Sequence, residues 1–166
     1  MKKLPMWLAI ASVSGVLAGC GSDGLQVEGQ VTLTVSQPPN PTGQAGFNFP
    51  ANTVVDAPPG VGRGIFGRCV RESTGYVVEL DRADNAGDGL QRLSLRVPAG
   101  TTTEVPTATF VLGGNTFTGS GTCQGTGARE GDSVRITLTC NGMRSTLDPR
   151  SVSADVRLVF QNCAEE

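Results

Sequence analysis

Apolar and polar residues alternate with a period of two along several segments of this chain, which is the pattern of a β-strand with one face against a core. Every second residue is apolar in the segments 27–35, 76–80, 93–97, 134–138 and 152–160. The last segment also fits one face of a helix, but its unbroken alternation and its β-branched residues favour a strand. We therefore expect these five segments to be half-buried strands.

Clusters of glycine, proline, asparagine and aspartate lie between these segments and are typical of turns. They occur at 38–43, 58–64, 84–89, 98–100, 113–115 and 130–132. The stretch 36–64 is rich in proline and glycine, and we expect it to be a long, partly irregular connection. Short strands with frequent turns predict an all-β fold, either an antiparallel β-sandwich or a small barrel.

The first 19 residues have the layout of an export signal. Lys2 and Lys3 precede an apolar run at 4–16, and small residues follow. The run is interrupted by proline, serine and glycine and is shorter than the roughly 18 to 20 apolar residues that cross a bilayer. It leads into Leu-Ala-Gly-Cys at 17–20, which resembles the lipobox of bacterial lipoproteins.

In proteins with a lipobox, the cysteine thiol receives a diacylglycerol, a signal peptidase cuts before the cysteine, and the new amino group is acylated, for example with palmitate. The resemblance implies lipid attachment at Cys20, a signal peptide at 1–19, a short tether at 20–24 and a β-rich domain at 25–166. Two or three chains make the anchor effectively permanent, whereas one chain binds a bilayer with only about 10⁴ M⁻¹. The alternative is an ordinary secretory signal that happens to end in a cysteine.

The tether sets the expected location of the domain. Gly21 and Ser22 follow Cys20, and the resemblance to sorted lipoproteins without an aspartate at that point implies the outer membrane, if the cell has one. From Cys20 to Leu25 there are five steps, which span at most about 18 Å. We therefore expect the domain to lie against the membrane, where a protein partner in the cell envelope would have to be.

Charge and composition exclude several functions. Both lysines lie in the signal, so eleven arginines face fifteen acidic residues after residue 19, a formal charge of −4 without a basic cluster. Nucleic acid is therefore not an expected partner. The chain has no histidine, which excludes Ser-His-Asp and Cys-His catalysis. Paired carboxylates remain possible in principle, but Glu72, Glu79 and Asp81 are expected as solvent-facing strand residues, so no enzyme activity is predicted.

Four cysteines remain besides Cys20, an even number in a chain with an export signal, which favours two disulfides. A zinc site with four thiolates usually has two close pairs, whereas the spacings here are 54, 17 and 23 residues. The cysteines in question are Cys69, Cys123, Cys140 and Cys163.

Strand register predicts how these cysteines pair. If the segment 123–130 pairs with the following strand around a two-residue Gly-Asp turn, opposite residue numbers add to 263, and Cys123 lies opposite Cys140. A non-hydrogen-bonded pair of this kind has Cα atoms about 4.5 Å apart, within reach of a disulfide. Cys69 and Cys163 then pair by elimination. A bulge at one of the glycines of the segment would shift this register.

One group of oxygen-bearing residues resembles a calcium site. Asp81, Asp84, Asn85 and Asp88 lie with glycines between two expected strands, and such oxygen ligands bind calcium. An EF-hand loop beginning at Asp84 would have alanine at its third position and leucine at its twelfth, where a bidentate glutamate belongs. We therefore expect a polar hairpin turn, with calcium as the alternative, and predict neither a metal nor a cofactor.

A second resemblance concerns the β-rich domain. A cysteine before a strand, a Gly-rich strand and charged turn at 125–138, and a last strand ending in Cys163 resemble the mycobacterial 19-kilodalton lipoprotein antigen family. The resemblance covers roughly the last 100 residues, and the chain departs from it in having Cys123 and Cys140 and in lacking a long Ser/Thr/Gly-rich tether. That family is regarded as lipid-anchored surface antigens without known enzymatic activity.

These observations together predict a non-catalytic, lipid-anchored protein of the cell envelope with a binding or structural role. The alternative is an envelope domain that binds a soluble ligand or a glycan, and an enzyme of unknown type is a third reading. A deep pocket would favour the ligand-binding alternative, an exposed apolar patch would favour a protein partner, and a filled core with neither would favour a structural role.

Overall fold

The computed structural model describes residues 24–37, 40–55, 64–82, 89–100, 104–145, 147 and 149–166. These ranges contain eleven strands and no helix. In chain order the strands are β1 (Gln26–Gln37), β2 (Asn40–Val54), β3 (Ile65–Arg71), β4 (Gly75–Arg82), β5 (Leu90–Pro98), β6 (Thr107–Leu112), β7 (Asn115–Ser120), β8 (Cys123–Glu130), β9 (Ser133–Arg144), β10 (Ser151–Gln161) and β11 (Ala164–Glu165).

All eleven strands belong to one continuous sheet. Its order is β11-β3-β4-β5-β6-β7-β9-β10-β1-β2, and β8 pairs with β9 beside this path. Neighbouring strands are antiparallel, except that the short β11 runs parallel to β3. β7 and β8 follow each other along one edge of β9, with Thr118 opposite Arg144 and Cys123 opposite Cys140. This shared edge connects the two halves of the sheet.

The sheet curls on itself into a half-barrel, which brings β8 against the β4–β5 hairpin. An isolated parallel bridge joins Ala99 to Gly127, and the amide of Gly100 donates to the carbonyl of Gly127 at 3.2 Å. The buried ring of Tyr76 lies against the backbone of Gly127, where a side chain would have its Cβ 2.3 Å from a ring carbon. The predicted all-β, antiparallel fold class is confirmed.

The core lies on the concave face of this sheet, and the period-two pattern predicts it. The alternating residues of the five expected strands are buried, except Gly29 and Val35, which are partly buried. All five on β10, from Val152 to Phe160, are buried. β10 lies between β9 and β1 with antiparallel partners on both sides, which excludes the helical interpretation of this segment. Three phenylalanines, Phe110, Phe117 and Phe160, are fully buried and supply much of the core volume.

The expectation of an irregular connection at 36–64 is wrong for its central part. Residues 40–54 form β2, which pairs with β1 from Gln37 opposite Asn40 to Gln26 opposite Val54. β2 is the last strand of the sheet, and proline is tolerated on an edge strand because one side of the strand needs no ladder hydrogen bonds. The prolines and glycines of this segment therefore indicate an edge strand rather than the lack of one.

Both predicted cysteine pairs are present. β8 and β9 form a hairpin with Glu130 opposite Ser133, and its register reaches Cys123 opposite Cys140 without a bulge. The Cα atoms of that pair are 4.0 Å apart, and those of Cys69 and Cys163 are 4.8 Å apart. The second disulfide closes a loop of 94 residues and ties the segment after β10 to β3.

We predict that Gly127→Ala destabilises the domain by about 1 to 3 kcal/mol, because the added methyl group overlaps the buried ring of Tyr76. Gly46→Ala is the matched control, since a Cβ on this strand glycine has no atom within 4 Å. Urea unfolding measures both free energies of unfolding. Equal stabilities of the two variants would contradict the contact, and Tyr76→Ala should reduce the difference in a double-mutant cycle.

Candidate functional site

Most charged side chains lie on the outer face of the half-barrel, and no polar or charged residue is buried in the part of the chain that the structure describes. Most of these charges form arginine–carboxylate pairs. Exposed pairs contribute little to stability because water screens them. The pairs are Arg68–Glu79 at 2.9 Å, Arg92–Asp81 at 2.6 Å, Arg135–Glu130 at 2.8 Å, Arg157–Asp155 at 3.0 Å, and Arg96–Glu72.

Glu165 binds two arginines where the half-barrel closes. Its Oε1 accepts from Arg71 of β3 at 3.1 Å and from Arg129 of β8 at 2.9 Å. The neighbouring disulfide joins Cys163 to Cys69 on β3. The segment after β10 is therefore held to β3 by a covalent bond and to β8 by an ion pair.

A groove of about 490 Å³ lies on the outer face over β1, β9 and β10. Side chains alternate between the two faces of each strand. The residues of the floor face outward, since their neighbours along each strand point into the core. β2 forms one wall. The polar residues that line the groove are Glu28, Gln30, Asn48, Arg135, Thr137 and Arg157.

A bulge in β2 builds this wall. The β1–β2 register shifts between Val27 and Gly29, and the residues at 50–52 have no partner on β1. Asn52 has a φ of 61°, and the hydroxyl of Thr53 donates to the carbonyl of Pro50 at 2.7 Å, which closes the turn. Gly29, with a φ of 125°, lets β1 approach β10 here, since a Cβ would lie 2.1 Å from the carbonyl oxygen of Arg157. The wall is thus a built feature of the fold.

The groove presents hydrogen-bonding groups in a row across four strands. The register places Asn48 opposite Gln30, Gln30 opposite Arg157, and Arg157 opposite Thr137. Asp155 holds the guanidinium of Arg157 at 3.0 Å. Glu130 holds that of Arg135 through two hydrogen bonds of 2.8 Å. The row can bind an extended polar molecule, and Glu28 adds a carboxylate to the lining of the groove.

The structure brings the four predicted disulfide cysteines together in two pairs. These pairs are Cys69 with Cys163 and Cys123 with Cys140. The lipid attachment residue Cys20 lies outside the described residues.

Only one member of the calcium candidate is described. Asp81 lies opposite Arg92 on β5 and accepts from its guanidinium at 2.6 Å. Asp84, Asn85 and Asp88 lie outside the described residues. Within the described ranges no group of three or more histidine, cysteine, aspartate or glutamate side chains is placed to hold a metal ion.

Sequence reasoning did not find the groove. Its lining residues belong to four strands, and they read in the sequence as ordinary solvent-facing positions. A local signal was present in Asn-Phe-Pro-Ala-Asn at 48–52, because a proline and a following asparagine inside an apolar segment are typical of a bulge or turn. The position of that bulge above β1 depends on strand pairing.

Comparisons with models of protein families, with curated proteins and with solved structures gave no match. None of the described residues belongs to a helix that is long and apolar enough to span a membrane.

Arg135 lowers the pKa of the Glu130 carboxyl, mainly through their hydrogen bonds. We predict that Arg135→Gln raises this pKa toward its ordinary value, as followed by NMR titration of the carboxyl carbon. Because the folded-state pKa is the lower one, the pair stabilises the fold above the unfolded-state pKa and loses this effect as the pH falls through the folded-state pKa. Arg157→Gln is the control and should leave the pKa of Glu130 unchanged; an equal shift in both variants would contradict the assignment.

Proposed function

We propose that this chain is a non-catalytic lipoprotein of the bacterial cell envelope, anchored by lipid on Cys20, with a binding or structural role. The observation that carries the proposal is the distance from the lipobox to the folded domain. β1 begins at Gln26, six residues after Cys20, so the domain follows the lipid attachment point almost directly. The resemblance to the 19-kilodalton antigen family, regarded as lipid-anchored and without known enzymatic activity, agrees with this.

The disulfides support export. All four remaining cysteines are paired, and disulfides persist in oxidising compartments such as the periplasm and the cell surface. Cys69, Cys123 and Cys140 are buried in the apolar core, a position in which disulfides brace a fold rather than exchange with other thiols.

The filled core supports a role without catalysis. The described core consists of apolar side chains and disulfides, and the carboxylates outside it are largely occupied by arginines. Among the described residues, the large apolar side chains that remain exposed are Val54, Val105 and Leu147, which lie on three different segments. A filled core with only scattered exposed apolar residues favours a structural role or a polar contact over an apolar docking site.

The groove favours a second candidate function, the binding of a polar ligand or a glycan. Its row of amide, guanidinium and hydroxyl groups offers donors and acceptors in a fixed register. This candidate is compatible with the lipid anchor, since both describe an envelope protein.

The lipid anchor is tested by Cys20→Ser in cells fed an alkyne analogue of palmitate. We expect the native chain to carry the label and the variant to carry none, because the thiol is the acceptor of the diacylglycerol and the following acylation depends on it. Ser22→Ala is the matched control and should keep the label.

A second arm tests the anchor itself. Residues 20–166, with serine at position 20, are exported behind an ordinary cleavable signal, and we expect them in the soluble fraction. If this form sediments with membranes after a high-salt wash, or if Cys20→Ser still takes the label, the proposal is wrong.

The tether also predicts which end of the domain faces the bilayer. Gln26 lies opposite Gln161, which lies opposite Ser133, so the β8–β9 turn is at the end of the sheet next to the tether. Ser36 at the other end of β1 is ten residues away, or about 34 Å along the strand. The loop that contains Leu147 joins β9 to β10 at this far end.

We therefore expect a fluorophore on Asp132→Cys to be quenched by quencher-labelled lipid headgroups several times more strongly than one on Leu147→Cys. Both positions are exposed, which makes them a matched pair. A long flexible linker inserted after Asp23 should abolish the difference, because it frees the domain from the surface. Equal quenching without the linker would contradict this orientation.

A further inference from the structure

The groove over β1, β9 and β10 lies in the middle of the sheet rather than at an edge. Each of these three strands pairs with a neighbour on both sides. A ligand on the floor of the groove therefore meets side chains and not the open ladder of an edge strand. The chemistry of these side chains decides which class of ligand fits.

The charges around the groove nearly cancel. Arg135 and Arg157 line it, and each guanidinium is held by a carboxylate, that of Glu130 or Asp155. Glu28 is a third carboxylate, and after the hydrogen bonds to Glu130 its charge adds to the raised pKa of Arg135. The groove thus lacks the excess of positive charge that attracts a phosphate or an anionic polymer. The remaining negative charge is at the surface, where salt screens it, so an uncharged ligand fits best.

The polar groups of the groove are planar and lie side by side. Asn48, Gln30 and Arg157 follow one another in register across β2, β1 and β10. Amides and guanidiniums present adjacent polar atoms in one plane, and neighbouring strands are about 4.8 Å apart. Such a row matches a ligand that offers pairs of hydroxyl or amide groups at regular intervals. A linear glycan is a ligand of this kind.

A small apolar contact lies beside the row. Val159 is half-buried and lies between Glu28 and Arg135 in the register, and Pro50 and Ala51 line the same groove from the bulge. Three small apolar side chains are too few for an apolar ligand, but they suit a methyl group. An acetamido group carries a methyl group on an amide, so an N-acetylated sugar can make both kinds of contact.

We propose that the groove binds an uncharged, N-acetylated glycan that lies along the row from Asn48 to Thr137. The row crosses four strands and is about 14 Å long, which accommodates a few sugar rings. This inference rests on the second candidate function, ligand binding in the groove, and names the chemical class of the ligand. It does not depend on the lipid anchor.

Two sources carry this sugar chemistry, a glycan polymer and the headgroup of a membrane glycolipid. Val159 and Arg135 are two residues from Gln161 and Ser133 at the end of the sheet, about 7 Å along the strands. With the anchor proposed at Cys20, that end faces the bilayer, and the row runs along the membrane surface because it crosses the strands. A polymer strand that lies along the surface fits this direction better than a headgroup that rises from it.

Titration with the uncharged trimer of N-acetylglucosamine tests the site. For the full chain, purified in a detergent without sugar groups, we expect a dissociation constant below about 1 mM by calorimetry. Gln30→Ala should weaken binding at least about fivefold, because it removes a hydrogen-bonding group from the row. Gln44→Ala is the matched control. It removes an exposed amide of β2 that does not line the groove, and it should bind like the native chain.

Two other trimers test the class of ligand. Cellotriose lacks acetamido groups and should bind at least about fivefold more weakly than the N-acetylglucosamine trimer. Trigalacturonate is anionic and should bind at least about tenfold more weakly, because three carboxylates surround the groove. Glu28→Gln keeps the shape of the side chain and removes one of these charges, so it should strengthen the binding of trigalacturonate several-fold.

Vesicles distinguish the two sources. With the full chain in phosphatidylcholine vesicles, we expect the soluble hexamer of N-acetylglucosamine to bind at least as tightly as the trimer. A glycolipid that carries the trimer as its headgroup should not compete when it is present in the same vesicles. Competition would assign the groove to the headgroup and overturn the polymer as the source.

The contrary outcomes separate this inference from the proposals on which it rests. No binding of the N-acetylglucosamine trimer, or equal affinities of Gln30→Ala and Gln44→Ala, would overturn it. Tighter binding of trigalacturonate would overturn it as well, but would leave the groove as a glycan site. If none of the three trimers binds, glycan binding in the groove is wrong too. The lipid label on Cys20 is measured separately, so the anchor and the groove fail independently.

Discussion

The contact between the ring of Tyr76 and the bare backbone of Gly127 holds the curled sheet together. An open sheet with one apolar face must cover that face, and this chain does so by curling β8 against the β4–β5 hairpin. The absence of a side chain at Gly127 sets how close the two parts come. The disulfide between Cys69 and Cys163 and the two arginines on Glu165 then hold the segment after β10 across the closure.

Because the sheet closes around an apolar core, its polar and charged groups lie outside that core. The described core is apolar, so polar groups meet on the outer face, where cross-strand register decides which of them are neighbours. Arginines and carboxylates become pairs, and the row from Asn48 to Thr137 becomes a groove because β2 bulges beside it. The same bulge also ends the straight part of the open edge. One irregularity in one strand therefore shapes both the groove and the edge of the sheet.

The lipid anchor proposed at Cys20 would give these surfaces a direction. Its short tether would bring the end of the sheet at Gln26 near the bilayer, so the edge of β2 would extend away from the membrane surface.

The sequence by itself determined the strands that face the core and the β8–β9 hairpin, because period-two alternation and a tight Gly-Asp turn are local properties. That register led directly to Cys123 opposite Cys140, and counting assigned the other pair. Tertiary structure alone decided that β1 lies between β2 and β10, that residues 40–54 form an edge strand, and where the groove lies. These features depend on pairing between residues far apart in the chain. An edge strand with one paired side also tolerates the prolines and glycines that resemble a loop in the sequence.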